Sequence, residues 1–364
     1  MGKTESEIRL SVATKAIEKE YGHVVKWLGE AAEVKRETIS TGSIGLDNAI
    51  GNGGLERGLI AEIFGENGSG KSFLAYNIIK QACLKGLKCA IVDAENSLDP
   101  KLLINIGLPE NQVLIVEGAP TGEANLSIAD NLMATGDFAV VMIDSVAALV
   151  PGARMESTYD QQTIGLHARL MSAGLQKILP VAKKTNTLLI FINQIRNKVG
   201  GYGNPQTTTG GEALPFYASY RIEVIGSPRQ KSRRLVDEGS GEVYGHSATF
   251  RVVKNKRQAP YREAELNLVY GLGYDTTEEL IQMGADTGLI TKSGAWLYYK
   301  DFKWQGKDNA KLDINGSEVL LNELKAAVKA VMSGKAVPMN LDENEPEVEE
   351  DAKPTRQGRK ARAQ

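Results

Sequence analysis

The sequence predicts an α/β fold in which a mostly parallel sheet carries helices on both faces. Two observations lead to this prediction. Apolar strand-like runs alternate with helix-like segments, and a glycine-rich segment follows the first of those strands. Continuous apolar strands separated by helices are typical of parallel sheets that are covered on both faces. The predicted strands span residues 59–65, 88–94, 112–117, 138–144 and 187–193, and the predicted helices span residues 72–86, 122–136 and 165–184.

The first predicted element is a short amphipathic helix over residues 5–20. Ile8, Val12, Ala16 and Ile17 fall on one face of this helix. A linker-like stretch continues to about residue 36, and such a linker would let the helix reach a neighbouring copy of the chain. The helix could also fold back on its own core, and the sequence leaves this choice open.

The pattern changes twice after residue 212. Strand-like runs without long helices follow first, and we expect them to extend the sheet in the antiparallel sense. Residues 272–334 then predict a small α+β domain, in which two helical segments flank the strand-like run SGAWLYYKDFKW. Residues 335–364 begin acidic, end basic and contain few apolar side chains, so this tail is predicted to be disordered.

Composition limits the class of protein. The 364 residues are 42% hydrophobic and 24% charged with a net charge of -2, which is typical of a soluble globular protein. Any nucleic-acid site must therefore come from a local cluster of charge. Cys83 and Cys89 are predicted to be reduced, buried thiols. No apolar run could span a bilayer and no signal peptide is evident, so the expected location is the cytoplasm and no membrane partner is expected.

The segment GENGSGKS fits the phosphate-binding pattern G-x-x-x-x-G-K-[ST] and lies between a predicted strand and a predicted helix, as that pattern requires. Its glycines let successive backbone N–H groups point at an anion, and the following helix adds a partial positive charge. Lys71 could reach the β- and γ-phosphates, and Ser72 could offer its hydroxyl to Mg²⁺. A plain glycine-rich turn is the alternative. The candidate nucleotide-binding residues are Gly65, Glu66, Asn67, Gly68, Ser69, Gly70, Lys71, Ser72 and Phe73.

Two carboxylates follow other predicted strands. Asp144 ends the run FAVVMIDS, and a carboxylate there can help to hold Mg²⁺ beside a phosphate loop. Glu95 lies just past the strand end in IVDAENSLDP, where a general base could reach a water in line with the γ-phosphate. The alternative for Glu95 is a solvated loop carboxylate near the start of the helix at Asp99.

Residues 194–212, QIRNKVGGYGNPQTTTGGE, are predicted to form a long loop without periodicity. Loops of this length in a compact domain are usually functional or disordered. Arg196 and Lys198 supply charge for phosphates, and Val199 and Tyr202 offer apolar faces to bases. The threonines and glycines offer donors to a sugar-phosphate chain.

Taken together, these motifs resemble the bacterial RecA recombinases and their phage-encoded relatives over about residues 37–300. The resemblance is carried by TISTGSIGLDNAIGNGGLERG, GENGSGKS, DAENSLDP, MIDSVAALVP, GLHARLMS, TLLIFINQIRNKVGGYGNPQTTTGGEALPFYAS, VVKNKRQAP and SGAWLYYK. The pair FINQIR and GNP-x-TTTGG is nearly a signature of that family.

The resemblance implies an N-terminal polymerisation arm at residues 1–36, a RecA-type ATPase core at 37–271, a small C-terminal domain at 272–334 and a charged tail at 335–364. It implies a helical filament of identical subunits on single-stranded DNA, with ATP between neighbours and Mg²⁺ as cofactor. That filament would pair its strand with homologous duplex DNA. Two other functions stay open: a hexameric helicase or other ring ATPase, and a strand-coating protein with a vestigial ATPase.

The resemblance also implies roles at the nucleotide. Glu95 would activate the attacking water, and Gln194 would sense the γ-phosphate at the root of the second DNA loop. Asp99 and Tyr270 would contact adenine. Lys254 and Lys256 would reach a neighbour's γ-phosphate, so that the site is completed in trans.

For DNA, the resemblance implies a first loop at residues 155–165 and a second at 194–212. Phosphate-backbone contacts would come from Arg169, Ser172, Arg196, Thr207, Thr208, Thr209, Gly210 and Gly211. Ile164, Val199 and Tyr202 would touch or separate bases. The arm residues Ile8, Val12 and Ile17 and the exposed anchor Phe216 would form the subunit interface.

Several positions depart from the family pattern and favour a phage-encoded member. Leu102 stands where a tyrosine usually stacks on adenine, and Asn96 replaces a usual histidine. Gln176 replaces a usual arginine, which removes one phosphate contact. Glu212 replaces a usual asparagine and brings negative charge near the DNA and the nucleotide. The tail ends basic, whereas the family tail is usually acidic throughout.

Overall fold

The computed structural model describes residues 4–22, 24–33, 36–155, 165–197, 206–237 and 239–334. Its helices, in chain order, are α1 Glu5–Tyr21, α2 Leu28–Glu33, α3 Ile44–Ile50, α4 Lys71–Cys83, α5 Pro100–Asn105, α6 Gly122–Ala134, α7 Gly152–Met155, α8 Leu166–Thr185, α9 Ala213–Tyr217, α10 Thr276–Asp286, α11 Gly306–Gly316 and α12 Glu318–Met332. The predicted α/β class is confirmed.

The strands are β1 Thr38–Ile39, β2 Leu55–Glu56, β3 Ile60–Gly65, β4 Lys88–Asp93, β5 Val113–Glu117, β6 Phe138–Asp144, β7 Leu188–Asn197, β8 Gln206–Thr208, β9 Tyr220–Ile225, β10 Arg234–Val236, β11 Val243–Asn255, β12 Glu263–Val269, β13 Gly273–Tyr274, β14 Thr291–Ser293, β15 Trp296–Tyr299 and β16 Phe302–Gln305. Every strand expected between residues 59 and 193 is present.

The main sheet runs in the order β5-β4-β6-β7-β3-β9-β11-β12-β13. The strands from β5 to β9 are parallel, and those from β11 to β13 are antiparallel. The prediction that the sheet becomes antiparallel right after residue 212 was therefore wrong for β9, which pairs in parallel with β3. The antiparallel extension begins one strand later, at β11. β7 and β9 run in the same direction on either side of β3, so the chain between them must cross over to return to the start of the sheet.

Apolar side chains cover both faces of this sheet. One cluster packs α3 and α4 against it, and a second packs α6 and α8 against the other face. The central strands bear apolar residues on both sides, so β3 is buried at every position. Such two-sided burial is the reason that these strands read as continuous apolar runs rather than as an alternating pattern.

The long loop predicted at residues 194–212 is partly regular. β7 continues to Asn197, and β8 pairs with it in the antiparallel sense, with Ile195 opposite Thr208 and Arg196 opposite Thr207. The prediction that the whole segment lacks secondary structure was wrong at its two ends. Ladder hydrogen bonds satisfy backbone groups there that an irregular loop would have to satisfy otherwise.

The N-terminal helix α1 begins at Glu5 and is capped by Thr4 through a capping box with Glu7. None of its residues is buried. Ile8, Val12 and Ile17 are 51%, 64% and 42% exposed, so the apolar face found in the sequence is open within one chain. The segment interpreted as a linker also contains the helix α2.

The C-terminal residues form a third apolar cluster, to which Leu280, Trp304 and Leu324 contribute. The strands β14, β15 and β16 make a small antiparallel sheet beside three helices. The helix α11, which the sequence did not suggest, lies between the two predicted ones. Glu279 joins this part to the core, since its carboxylate accepts hydrogen bonds from the backbone of Ile44 and Gly45.

Candidate nucleotide and DNA site

Four neighbouring parallel strands end at one edge of the sheet. Gly65 at the end of β3 is level with Gln194 on β7, and Asp93 at the end of β4 is level with Asp144 at the end of β6. Because the carboxyl ends of parallel strands form a crevice for ligands, this edge brings together the residues that the sequence assigned to nucleotide chemistry.

The phosphate loop lies between β3 and α4. Gly70 precedes α4 with a φ of 95°, a left-handed conformation that favours glycine. The side chain of Lys71 is nearly buried, and its Nζ donates to the carbonyl oxygen of Glu66 at 2.7 Å. Within the described chain, the buried Ser69 Oγ has no hydrogen-bond partner. A phosphate oxygen would supply the missing acceptor, so the loop fits a bound phosphate.

The charges around the loop are close and partly buried. Burial lowers the pKa of Lys71, against the opposing charges of Asp144, Glu95 and Glu66. Burial also raises the pKa of Asp144 to about 6; the charges of Glu95 and Asp93 add to this effect, and the Ser72 hydroxyl and Lys71 oppose it. Ser72 Oγ donates to Asp144 Oδ2 at 2.8 Å. These two oxygens are hard ligands of the kind that Mg²⁺ prefers.

Glu95 lies beside this pair and is exposed. Its backbone N–H donates to the carbonyl oxygen of Asp144 at 3.1 Å, and its carboxylate accepts from Ser145 Oγ. The same carboxylate oxygen lies 3.5 Å from Gln194 Nε2. The structure thus brings together the candidate base and the candidate γ-phosphate sensor, which are 99 residues apart in sequence.

A buried polar network underlies Gln194, and sequence reasoning missed it. Asn193 and Glu62 are both fully buried. Asn193 Nδ2 donates to Glu62 Oε1 at 2.8 Å and to the carbonyl oxygen of Thr209 at 2.9 Å, while its Oδ1 accepts from the N–H of Gln194 at 2.8 Å. The other Glu62 oxygen accepts from Arg221 Nε at 2.5 Å. The available signals were Asn193 at the end of the apolar run LLIFIN and Glu62 inside the apolar run LIAEIFG.

The far end of residues 194–212 packs on the start of α8. A Cβ at Gly210 would press on Met171, and one at Gly211 would press on Ala168. Both glycines have a positive φ, so glycine is favoured there on both counts. This packing brings the segment close to Arg169 and Ser172, which lie on the first turns of α8.

The candidate DNA residues differ in access. Arg169 and Arg196 are exposed and Ser172 is half-buried. Thr208 is buried, and the hydroxyls of Thr208 and Thr209 have no hydrogen-bond partner among the described residues. Ile164, Lys198, Val199 and Tyr202, together with residues 156–163 of the predicted first loop and the tail 335–364, lie outside the described residues.

The candidate adenine contacts lie on two different elements. Asp99 caps α5, and its side chain accepts from the N–H of Lys101 at 2.9 Å. Tyr270 is 43% exposed, and its hydroxyl lies 3.3 Å from Nδ1 of the buried His246.

Two of the positions that depart from the family pattern lie near Asp99 in sequence. Leu102 packs against the core cluster, where the family pattern has an aromatic ring. Asn96 has a φ of 52°, which asparagine tolerates, and its Oδ1 accepts from the N–H of Gly118.

Tyr274 braces the phosphate loop and was not singled out from the sequence. Its hydroxyl donates to the carbonyl oxygen of Gly70 at 2.9 Å, and its ring packs edge-on against Phe250. A Cβ at Gly70 would overlap that hydroxyl. The third glycine of the loop is thus needed for its backbone angle and for this close approach.

Lys254 and Lys256 lie away from the phosphate loop of their own chain. In the sheet, Lys254 on β11 lies opposite Arg221 on β9, and Arg221 lies opposite Glu62 on β3. Glu62 comes three residues before Gly65, where the phosphate loop starts. That offset is about 10 Å along the strand. Lys254 Nζ donates to the carbonyl oxygens of Pro215 and Phe216 at 2.6 and 2.9 Å, and Lys256 Nζ donates to that of Phe216 at 3.3 Å. The Phe216 side chain is 71% exposed.

Comparison with known proteins agrees with this geometry. The family model described as the RecA N-terminal domain matches residues 8–275, and the one described as the RecA C-terminal domain matches residues 278–333. The chain belongs to the RecA family. RecA-family membership makes it an ATP-dependent recombination protein and a DNA-dependent ATPase, as the motifs predicted.

The RecA relatives cover almost the whole chain. Protein RecA of Laribacter hongkongensis is 38% identical over 361 residues, which are 96% of this chain and 99% of the relative. Protein RecA of Thermus thermophilus is 44% identical over 322 residues, 88% of this chain and 93% of the relative. Protein RecA of Rhodospirillum rubrum is 42% identical over 327 residues, which are 88% of this chain and 87% of the relative. Among the helices that the structure describes, none is long and apolar enough to cross a membrane.

Proposed function

We propose that this RecA-family chain polymerises on single-stranded DNA, hydrolyses ATP between adjacent subunits and pairs its bound strand with homologous duplex DNA. The observation that carries the proposal is the junction at Gln194. This residue lies 3.5 Å from Glu95 at the nucleotide edge and is also the first residue of the predicted DNA loop. A change at the γ-phosphate and a change in that loop would therefore act on the same residue.

At the nucleotide, the N–H groups of the phosphate loop and Lys71 would hold the phosphates. Ser72 and Asp144 would hold Mg²⁺, which when bound neutralises charge that develops on the phosphates. Glu95 would orient and deprotonate the attacking water, with Ser145 fixing its carboxylate. Tyr270 and Asp99 would flank the base.

The position of Lys254 and Lys256 supports a site completed in trans. Lys254 donates hydrogen bonds to the carbonyl oxygens of Pro215 and Phe216, and Lys256 donates one to that of Phe216. Along the strand direction, Lys254 is offset from the phosphate loop of its own chain. The exposed Phe216 and the open apolar face of α1 offer two unpaired surfaces to an adjacent subunit. Head-to-tail contacts of this kind generate filaments when the rotation between subunits does not close a ring.

A strand-exchange assay tests the proposal directly. We expect the protein to transfer a strand from a homologous duplex to single-stranded DNA when ATP and Mg²⁺ are present, and to do so less at high salt because phosphate contacts release counterions. Unwinding by closed rings without exchange would favour the ring-ATPase alternative. DNA coating that is indifferent to ATP would favour the strand-coating alternative.

A further inference from the structure

The outer face of α4 borders a polar cavity of about 210 Å³. This face is separate from the side of the helix that bears Lys71, because positions 73, 77, 80 and 84 are roughly 150° away from it at 100° per residue. Five other parts of the chain complete the walls: the segment before α3, the residues that follow α5, the β12–β13 turn with β13, the start of α10, and α12. The lining includes Phe73, Asn77, Lys80, Gln81, Tyr274 and Lys325.

The cavity carries two positive charges. Among the described residues its lining contains two lysines, Lys80 and Lys325, and no carboxylate. Lys80 Nζ donates to the carbonyl oxygen of Ile106 at 2.8 Å. A lysine ammonium has three N–H groups, so two of those on Lys80 remain to donate to a ligand. Lys325 is half-buried and makes no hydrogen bond or ion pair within the described residues. Half-buried ammonium groups are costly unless an anion compensates them.

The electrostatics around Lys325 point the same way. Burial lowers the pKa of Lys325, and the charges of Lys329 and Lys80 lower it further. Within the part of the chain that the structure describes, no carboxylate offsets these effects. Neutral donors are also at hand, because Gln81 lines the cavity beside the two lysines.

The volume restricts what could enter. It is below the roughly 300–1,000 Å³ of pockets for drug-sized ligands, so a compact anion fits better than a large cofactor. Phosphate groups suit such a site, because each offers several acceptor oxygens to converging ammonium and amide donors. Phe73 and Leu272 add an apolar wall.

We propose that this cavity is a second anion site, distinct from the phosphate loop, that binds a small phosphate-bearing molecule between Lys80 and Lys325. An occupant would touch Tyr274, whose hydroxyl holds the carbonyl oxygen of Gly70 in the phosphate loop. It would also bridge α4 of the core and α12 of the C-terminal part.

Titration calorimetry with inorganic pyrophosphate tests the site. The full chain carries Lys71→Ala in every sample, so that the phosphate loop contributes little binding. We expect pyrophosphate to bind, and Lys325→Met to weaken the binding about tenfold, the effect of one lost charge-assisted hydrogen bond. Lys329→Met is the matched control, since it removes an exposed lysine one turn away on the same helix that lies outside the lining. Its effect should stay within about threefold.

Thermal unfolding gives a second readout. Pyrophosphate should raise the Tm of the Lys71→Ala protein and, at the same concentration, raise that of the Lys71→Ala, Lys325→Met protein less. If Lys325→Met fails to fold, Lys80→Gln replaces it with the same expectation. A parallel titration with AMP identifies the source of the phosphate: binding with the same dependence on Lys325 assigns nucleotides to the site, and binding of pyrophosphate alone assigns a free anion. Absence of pyrophosphate binding, or binding that Lys325→Met leaves unchanged, overturns the proposal.

Discussion

Asn193 and Glu62 are joined inside the core by a hydrogen bond of 2.8 Å from the amide Nδ2 of Asn193 to the carboxylate Oε1 of Glu62. The Asn193 amide also donates to the carbonyl oxygen of Thr209, and the Glu62 carboxylate accepts from Arg221. Two buried side chains therefore tie the root of the 194–212 segment to β9, next to Lys254. The nucleotide edge, the candidate DNA loop and the candidate subunit interface share one network.

Asn193→Ala should reduce the stimulation of ATP turnover by single-stranded DNA about tenfold, because it removes the three hydrogen bonds by which the Asn193 amide joins Glu62, Thr209 and Gln194. Nucleotide binding should change by less than about twofold, since Asn193 does not touch the phosphate loop. Turnover and fluorescent-nucleotide binding measure the two effects. The matched control is Asn125→Ala, which removes a buried amide that holds Ala119 and Thr121 instead. Equal loss of stimulation in both variants would contradict the role assigned to the network.

Glu95→Gln should slow ATP hydrolysis by about 10²–10⁴-fold, the usual contribution of a general base. The substituted amide would still accept from Ser145 and would keep the shape of the site, so ATP-dependent filaments should persist. Single-turnover hydrolysis and electron microscopy check the two outcomes. Lys71→Ala is the comparison, because it should abolish nucleotide binding and filaments together. Hydrolysis at the wild-type rate in the Glu95→Gln protein would show that another group is the base.

Mixing two inactive variants tests whether the site is completed in trans. One variant carries Glu95→Gln, which should still form filaments, and the other carries Lys254→Ala with Lys256→Ala. In a randomly mixed filament about a quarter of the interfaces join an intact Glu95 to an intact pair of lysines, so about a quarter of wild-type turnover should return. Each variant alone should be inactive. A mixture as inactive as its components would place the lysines in the phosphate site of their own chain.

Glu279 makes stability depend on pH. Burial raises its pKa to about 7 and the charge of Asp47 adds to this, although hydrogen bonds from Ser43, Ile44 and Gly45 oppose it. Because the pKa in the folded chain lies above its unfolded value of about 4.3, the contribution is fully present below that value and is lost as pH rises through about 7.

The Tm of the wild type should therefore fall, relative to that of Glu279→Gln, between pH 5.5 and pH 8. Thermal melts of both proteins at the two pH values give the difference, in which the titration of groups that do not interact with residue 279 cancels. Parallel changes in Tm would contradict the role given to Glu279.

Features of the site that depend only on residues close together in sequence could be predicted from the sequence. GENGSGKS, between an apolar strand and a helix, determines the phosphate loop, since the backbone angles and the helix start are both local. The strand-end positions of Glu95 and Asp144 followed from the same logic. These elements were predicted to within a few residues.

Features set by distant partners could not be predicted in this way. Glu62, Asn193 and Arg221 meet because β3, β7 and β9 are neighbours in the sheet, and strand order is not written in any one segment. The pairing of β8 with β7 and the contact between Tyr274 and Gly70 depend on the same long-range arrangement. The cavity between α4 and α12 needs the C-terminal part in place, so nothing local in the sequence marks Lys80 and Lys325 as neighbours.

ATP turnover measured with and without single-stranded DNA, at fixed Mg²⁺ and saturating ATP, tests the central claim most directly. That claim is that DNA at the 194–212 segment and a neighbouring subunit together complete the nucleotide site. Turnover should be low without DNA and should rise with added single-stranded DNA until the strand is covered. Equal turnover in the presence and absence of single-stranded DNA would contradict the account.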